Sequence, residues 1–312
     1  MGMDARVEWP MGKDFAFTIF DDTDLATVAN VAPVYDFLGG LGLLTTKSVW
    51  AVAGDGSPRL AGSTCEDEGY LAWTLKLQAT GIEIASHGAT YETSPRGRVI
   101  RSLDRFREIY GHDPLTLANH SGCAESIYWG SDRVSGLQRL AYDAMTGFRR
   151  RGVFRGHQNA DPLFWGDVCR DRIRYVRNFT YRNINTLAAC PVMPYHDPER
   201  PFVRSWFAAS EGARLDEFNL RVSERNQDRL EASGGACIMY THLAAGFATG
   251  NQVDARFRQL MERLALKNGW FVPVATLLDF LADRRGVTVI DPQQRRSLEQ
   301  RWLFDKALVG HS

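Results

Sequence analysis

Apolar residues fall in short blocks along the chain, and each block ends on a polar or glycine-bearing turn. The first, Phe15-Ala16-Phe17-Thr18-Ile19-Phe20, stops at Asp21-Asp22-Thr23-Asp24, which predicts a strand closed by an acidic turn. Residues 26–38 carry a helical pattern with Pro33 in an early turn, and Gly39-Gly40 ends it. Residues 45–52 read as the next strand. After a polar, glycine-containing connection over 54–63, a helical stripe over 68–79 leads to a strand over 81–85, which delivers Ser86-His87-Gly88. A helix over 99–110 and a strand over 115–118 deliver Asn119-His120-Ser121-Gly122.

From 128 to 195 the periodicity is weak, with short strands expected near 152–154 and 173–176. Trp206-Phe207 suggests a substrate-facing loop, followed by a polar helix over 215–230. The last unit is clearer: a strand over 236–241 ending at His242, an amphipathic helix over 253–268, a strand over 270–274 and a helix over 276–284. Strands separated by helices predict one α/β domain, with chemistry at the carboxyl ends of the strands. A doubly wound sheet competes, but scattered strand ends meet more readily around a parallel (β/α) barrel. The expected organisation is a catalytic barrel over 1–285 and a tail over 286–312. The polar residues 293–296 and then Trp302-Leu303-Phe304 leave that tail to pack on the barrel or on another subunit of a homo-oligomer.

Composition narrows the partners. Thirty-seven basic and 37 acidic residues give a net charge of +0, so no overall field draws the chain to nucleic acid or an anionic membrane. No apolar stretch is long enough to span a bilayer. Residues 1–13 lack the basic segment and apolar run of a secretory signal. The five cysteines stand singly, which fits reduced thiols and a cytoplasmic location.

Four strand-end positions carry the candidate chemistry. Asp21 and Asp22 are costly to bury unless paired, hydrated or metal-bound. If the turn brings both to one site, one can hold a cation while the other receives a proton. Asp24 could support either role, and a solvated acidic turn is the plainer alternative. His87 can bind zinc or a related metal, or serve as a hydrogen-bonded structural histidine. His120 repeats the placement, with Gly122 permitting a close turn, and is open to metal binding, substrate contact or loop hydrogen bonding. His242 could protonate a leaving group, or be a core histidine satisfied by a carbonyl. His157 fits loop structure or substrate recognition.

Phe17-Thr18-Ile19-Phe20-Asp21-Asp22, Glu83-Ile84-Ala85-Ser86-His87 and Ile238-Met239-Tyr240-Thr241-His242 together resemble the motifs of the polysaccharide deacetylase family, the NodB-homology or carbohydrate esterase family 4. The resemblance implies a distorted parallel barrel of about seven strands. It also implies Asp21 as general base, Asp22 and His87 as ligands of a divalent metal such as zinc, and His242 as general acid. Tyr91 stands where that family has a second metal histidine, and His120 could supply the ligand from another strand. Thr23 replaces the usual glycine, and no Arg-x-Pro-x-Gly segment appears in the middle. The implied reaction is removal of an acetyl group from an N-acetylated sugar or glycan, with O-deacetylation chemically close.

Trp129, Trp165, Tyr181, Trp206 and Phe207 are candidates for lining a carbohydrate cleft, and Arg155, Arg174 and Arg182 for binding polar or phosphorylated substituents. A noncatalytic carbohydrate-binding relative, with Tyr91 filling the missing ligand position, is one alternative. A soluble α/β scaffold that assembles through its tail is another.

Overall fold

Successive residues of a strand point to opposite faces, and the first strand, β1 (Phe15–Asp21), divides accordingly. Phe15, Phe17 and Ile19 join an outer apolar cluster with Val31, Val34 and Leu38 of the helix Val28–Gly40 and with Phe257 and Leu260 of the helix Ala255–Ala265. Ala16 and Phe20 belong to a second cluster with Phe207 and Ile238, and the rings of Phe20 and Phe207 lie 6.0 Å apart across the interior. A strand buried on both faces is typical of a parallel sheet covered by helices.

The computed structural model describes residues 7–309, so residues 1–6 of the segment read for a leader, and the last three of the tail, fall outside it. Six further strands complete a parallel barrel: β2 (Thr46–Val49), β3 (Glu83–Ser86), β4 (Thr116–Leu117), β5 (Tyr175–Tyr181), β6 (Ser205–Glu211) and β7 (Ala236–Thr241). They pair in chain order, and β7 closes on β1 in the register Ala16↔Ala236 to Asp21↔Thr241. The structure is therefore the parallel α/β barrel of about seven strands, not the doubly wound sheet. Gly269–Phe271 adds a short parallel segment beside the start of β1.

The outer elements follow the periodicity closely where it is strong. The helix Glu68–Ala79 is capped by Asp67, whose side chain accepts from the Tyr70 N–H, and Arg96–Tyr110 ends at Gly111 in the left-handed region. Elsewhere the sequence expectation needs correction. Residues 152–154 form no strand: Gly152 ends a turn, Val153 and Phe154 are irregular, and Phe154 alone of the three is buried. The single helix expected over 215–230 is two, Leu215–Arg221 and Glu224–Ser233. Trp206 and Phe207 lie buried within β6, not in a substrate-facing loop.

The tail forms the helix Pro292–Val309. Its Leu298 and Trp302 are buried, Trp302 stacks on Tyr142 at 5.4 Å, and Arg295 pairs with Asp197. Among the described residues no helix is long and apolar enough to cross a membrane. All five cysteines are free and buried.

Candidate metal centre

The pleat of β1 separates the two adjacent aspartates. Asp21 shares the outward parity of Phe17 and Ile19, and meets the neighbouring residue of β2, Lys47, at 2.9 Å from Nζ to Oδ2. The Tyr35 hydroxyl donates to the same oxygen at 3.0 Å, and the Leu243 N–H donates to Oδ1 at 2.7 Å. Asp21 is completely buried and is not among the residues lining the cavity at the barrel mouth. Burial works against the Lys47 ammonium, but the Asp21 carboxylate outweighs it and raises the lysine's pKa. Asp21→Asn strips a buried ammonium of its counter-charge, so an unfolding free energy lower by about 3–5 kcal/mol is expected in urea titrations. A stability equal to wild type would show that the pair is not structural.

Asp22, one residue on, faces inward. Arg177 of β5 grips it with two hydrogen bonds, 2.8 Å to Oδ1 and 2.6 Å to Oδ2. Burial raises the Asp22 pKa, yet Arg177 and then His87 more than offset this and hold it below the usual value. The carboxylate is thereby ionised and fixed in orientation.

Asp24 lies two residues beyond Asp22, past the end of the strand, where Leu25 adopts φ 61° and the Ala26 N–H closes a turn on the Thr23 carbonyl at 3.0 Å. Its two oxygens receive two imidazoles. His87 Nε2 lies 3.0 Å from Oδ2 and His120 Nε2 2.9 Å from Oδ1. His242 Nε2 stands 3.5 Å from Oδ2. Burial opposes ionisation of Asp24, but His87, His120 and His242 hold its carboxyl far below the usual range.

Packing fixes the two rings. Trp50, fully buried, stands at 5.8 Å from the His87 ring and 5.7 Å from the His120 ring, and its indole N–H donates to the His87 carbonyl at 3.1 Å. The loop after β4 is tied by Asn119, whose side chain bonds both the N–H and the carbonyl of Ile127. A Cβ on Gly122 would lie 2.9 Å from the His120 ring, so glycine lets the loop pass close to the imidazole.

Ligand atoms of Asp24, His87 and His120 all lie within 4.8 Å of one another. Two imidazole nitrogens and one carboxylate oxygen form a three-ligand set that suits a divalent transition metal and leaves room for water or substrate. His87 Nδ1 is buried without a partner among the described residues, so Nε2, aimed at Asp24, is the end of that ring held in place. The donor set fits a bound cation.

His242 follows β7, with Nδ1 3.0 Å from the Ala213 carbonyl and Nε2 toward the cavity. Burial lowers its pKa, but Asp24 and Asp22 overcome this and lift it to about 9. The cavity has a volume of about 50 Å³ and is bordered by Asp22, Asp24, His87, His120, His242 and Arg177.

Other expected residues lie elsewhere. His157 packs on Tyr128 at 4.4 Å and is not part of the cavity wall. Tyr91 packs on Trp50 and bonds the Gly54 carbonyl, so it does not take a ligand's place. Of the proposed cleft aromatics only Trp129 lines the cavity; Trp165, Tyr181, Trp206 and Phe207 are buried core. Arg155 pairs with Asp161 and Arg174 with Asp279 outside the cavity, and Arg182 does not border it. Arg177 and Arg133 border the cavity and Trp50 supports the histidines, and none of the three stands in a sequence motif that marks it. For Arg177 the available signal was a charged residue directly following the expected strand over 173–176.

No protein-family model matches the sequence, and no curated protein matches it. Solved structures do share its fold. A protein of Mycobacterium smegmatis assigned provisionally as a polysaccharide deacetylase superposes with a TM-score of 0.54 at 12% identity, over 92% of this chain and 96% of its own. Puue allantoinase gives 0.53 at 12% identity, over 90% and 94%. A second provisional polysaccharide deacetylase, from Pseudomonas aeruginosa PAO1, gives 0.55 at 10% identity, over 90% and 95%. At such identities the likeness establishes the barrel fold.

Proposed function

We propose that this chain is a metal-dependent hydrolase that removes an acetyl group from an N-acetylated sugar or glycan, with zinc as the cation. The observation that carries the reading is the convergence of Asp24, His87 and His120 within 4.8 Å, beside an arginine-held carboxylate and a histidine of raised pKa in one cavity. Two of the proteins that share the fold are described as polysaccharide deacetylases, which agrees with the motif resemblance.

A divalent cation on Asp24, His87 and His120 would polarise the acyl carbonyl and acidify a water. Asp22, oriented by Arg177, accepts the proton of the attacking water. His242, its Nδ1–H directed to the Ala213 carbonyl, gives the Nε2 proton to the departing amine as the tetrahedral intermediate collapses. Asp22 rather than Asp21 is supported as base because Asp22 borders the cavity, whereas Asp21 is held on the outer face of the barrel by Lys47, Tyr35 and the Leu243 N–H. Asp24 rather than Asp22 is supported as the ligand because both the His87 and His120 nitrogens converge on its oxygens, whereas His87 Nε2 stands 3.9 Å from Asp22.

The test is acetate release from N-acetylated and O-acetylated sugars by zinc-loaded and chelator-treated protein. Zinc-dependent release, faster on the N-acetyl compounds, is expected; no release from either class would reject the reading. The acid assignment has its own check. His242→Asn should slow amide cleavage by about 10²–10⁴-fold, but cleavage of p-nitrophenyl acetate far less, since that leaving group departs without a proton. Equal losses on both substrates would remove His242 from the acid role.

A further inference from the structure

Among the described residues bordering the cavity, Arg133 is the charged group that the proposed reaction does not use. It ends the short helical turn Gly130–Arg133 and is 3% exposed. Its guanidinium carbon lies 3.4 Å from the Trp129 ring centroid and 4.9 Å from that of Trp302, which reaches in from the C-terminal helix. One terminal nitrogen donates to the Asn178 carbonyl, but Nε is buried with no hydrogen-bond partner. No carboxylate among the described residues forms an ion pair with it.

The other charges at the cavity are matched. Arg177 answers Asp22, and three imidazoles surround Asp24. A bound cation would add further positive charge. Glu211, Tyr142 and Tyr240 favour the Arg133 charge from a distance, yet burial, the largest influence, and the nearby Arg177 still push its pKa down to about 9. A guanidinium this poorly compensated gains most from an incoming anion, whose two oxygens match its planar fork. The flanking indoles hold the fork in place.

We propose that Arg133 binds an anionic substituent, a carboxylate or a phosphate, on the substrate of this cavity, so that acidic N-acetylated sugars are preferred to neutral ones. The proposal rests on the hydrolase reading above for its substrate, but not for the anion site itself.

Two matched pairs test it: an N-acetylated amino-sugar acid against its methyl ester, and a phosphorylated N-acetyl amino sugar against the parent sugar. The zinc-loaded wild type should favour the anionic member of at least one pair by at least about tenfold in kcat/KM, mainly through KM, and the pair that responds separates carboxylate from phosphate. Arg133→Gln should abolish the preference. Equal rates within both pairs, or a preference that survives in Arg133→Gln, would overturn the proposal. Should none of the four compounds release acetate, the hydrolase reading has failed, and titration of metal-free protein with inorganic phosphate decides the anion site alone. Binding weakened at least about tenfold in Arg133→Gln supports it, and absent or unaltered binding rejects it. If Arg133→Gln does not fold, Arg133→Lys, which keeps the charge without the fork, should narrow the preference and weaken phosphate; wild-type values in that variant overturn the proposal.

Discussion

Asp24→Asn should bind zinc at least about a hundredfold more weakly than wild type, a loss at or beyond the upper end of what removing a residue behind a ligand produces. Asp24 is the only carboxylate of the three-ligand set, and its two oxygens are where the His87 and His120 rings converge. An amide removes the negative charge and turns half of the group into a donor that repels a cation. Competition with a chromophoric chelator measures the affinity directly. Asp21→Asn, whose change lies on the outer face of the barrel, should retain near-wild-type affinity. Wild-type zinc binding by Asp24→Asn, with loss in Asp22→Asn, would return the ligand role to Asp22.

The second large effect is on rate. Asp22→Asn should lower kcat for acetate release by about 10²–10⁴-fold, the usual contribution of a positioned base, while zinc content stays near wild type. Asparagine keeps the shape of the side chain and can still accept from Arg177, but it cannot take up a proton from water. Metal content and kcat must be measured on the same preparation, so that loss of base and loss of metal are read separately. Unchanged kcat in Asp22→Asn, with full metal occupancy, would exclude it as the base.

The difference between Asp21 and Asp22 was partly legible in the sequence. Counting the pleat onward from Phe17 and Ile19 puts Asp21 with the outward residues and Asp22 with Ala16 and Phe20. The expectation that the turn gathers both fails because pairing persists to the last strand residues, with Asp21 opposite Thr241 and the Asp22 N–H on the Thr241 carbonyl. Strand β7 and the helix Glu68–Ala79 were readable to the residue, the strand from its continuous apolar run and the helix from the helical spacing of Tyr70, Trp73 and Leu77 ahead of Thr80-Gly81. His87, His120 and His242 were readable as strand-end residues because the barrel brings strand ends together. Arg177 was not, since its partner lies 155 residues away and a strand buried on both faces has no polar alternation to reveal its inward positions. The turns around 152–154, held by isolated contacts such as Phe154 rather than by a ladder, offer no periodicity at all.

The Asp21–Lys47 pair bears on how sequences of this fold can drift. Two buried ions matched only to each other and to a few neutral groups are expendable together though not singly, because an apolar pair of similar volume often replaces such a bridge without loss. Asp21→Leu with Lys47→Met would then leave the barrel standing and Asp22 untouched. The double-aspartate pair would then be halved with the inward carboxylate, its Arg177 clamp and the converging histidines all in place, so the adjacency of the two carboxylates is separable into an outer part that serves the barrel wall and an inner part that faces the cavity.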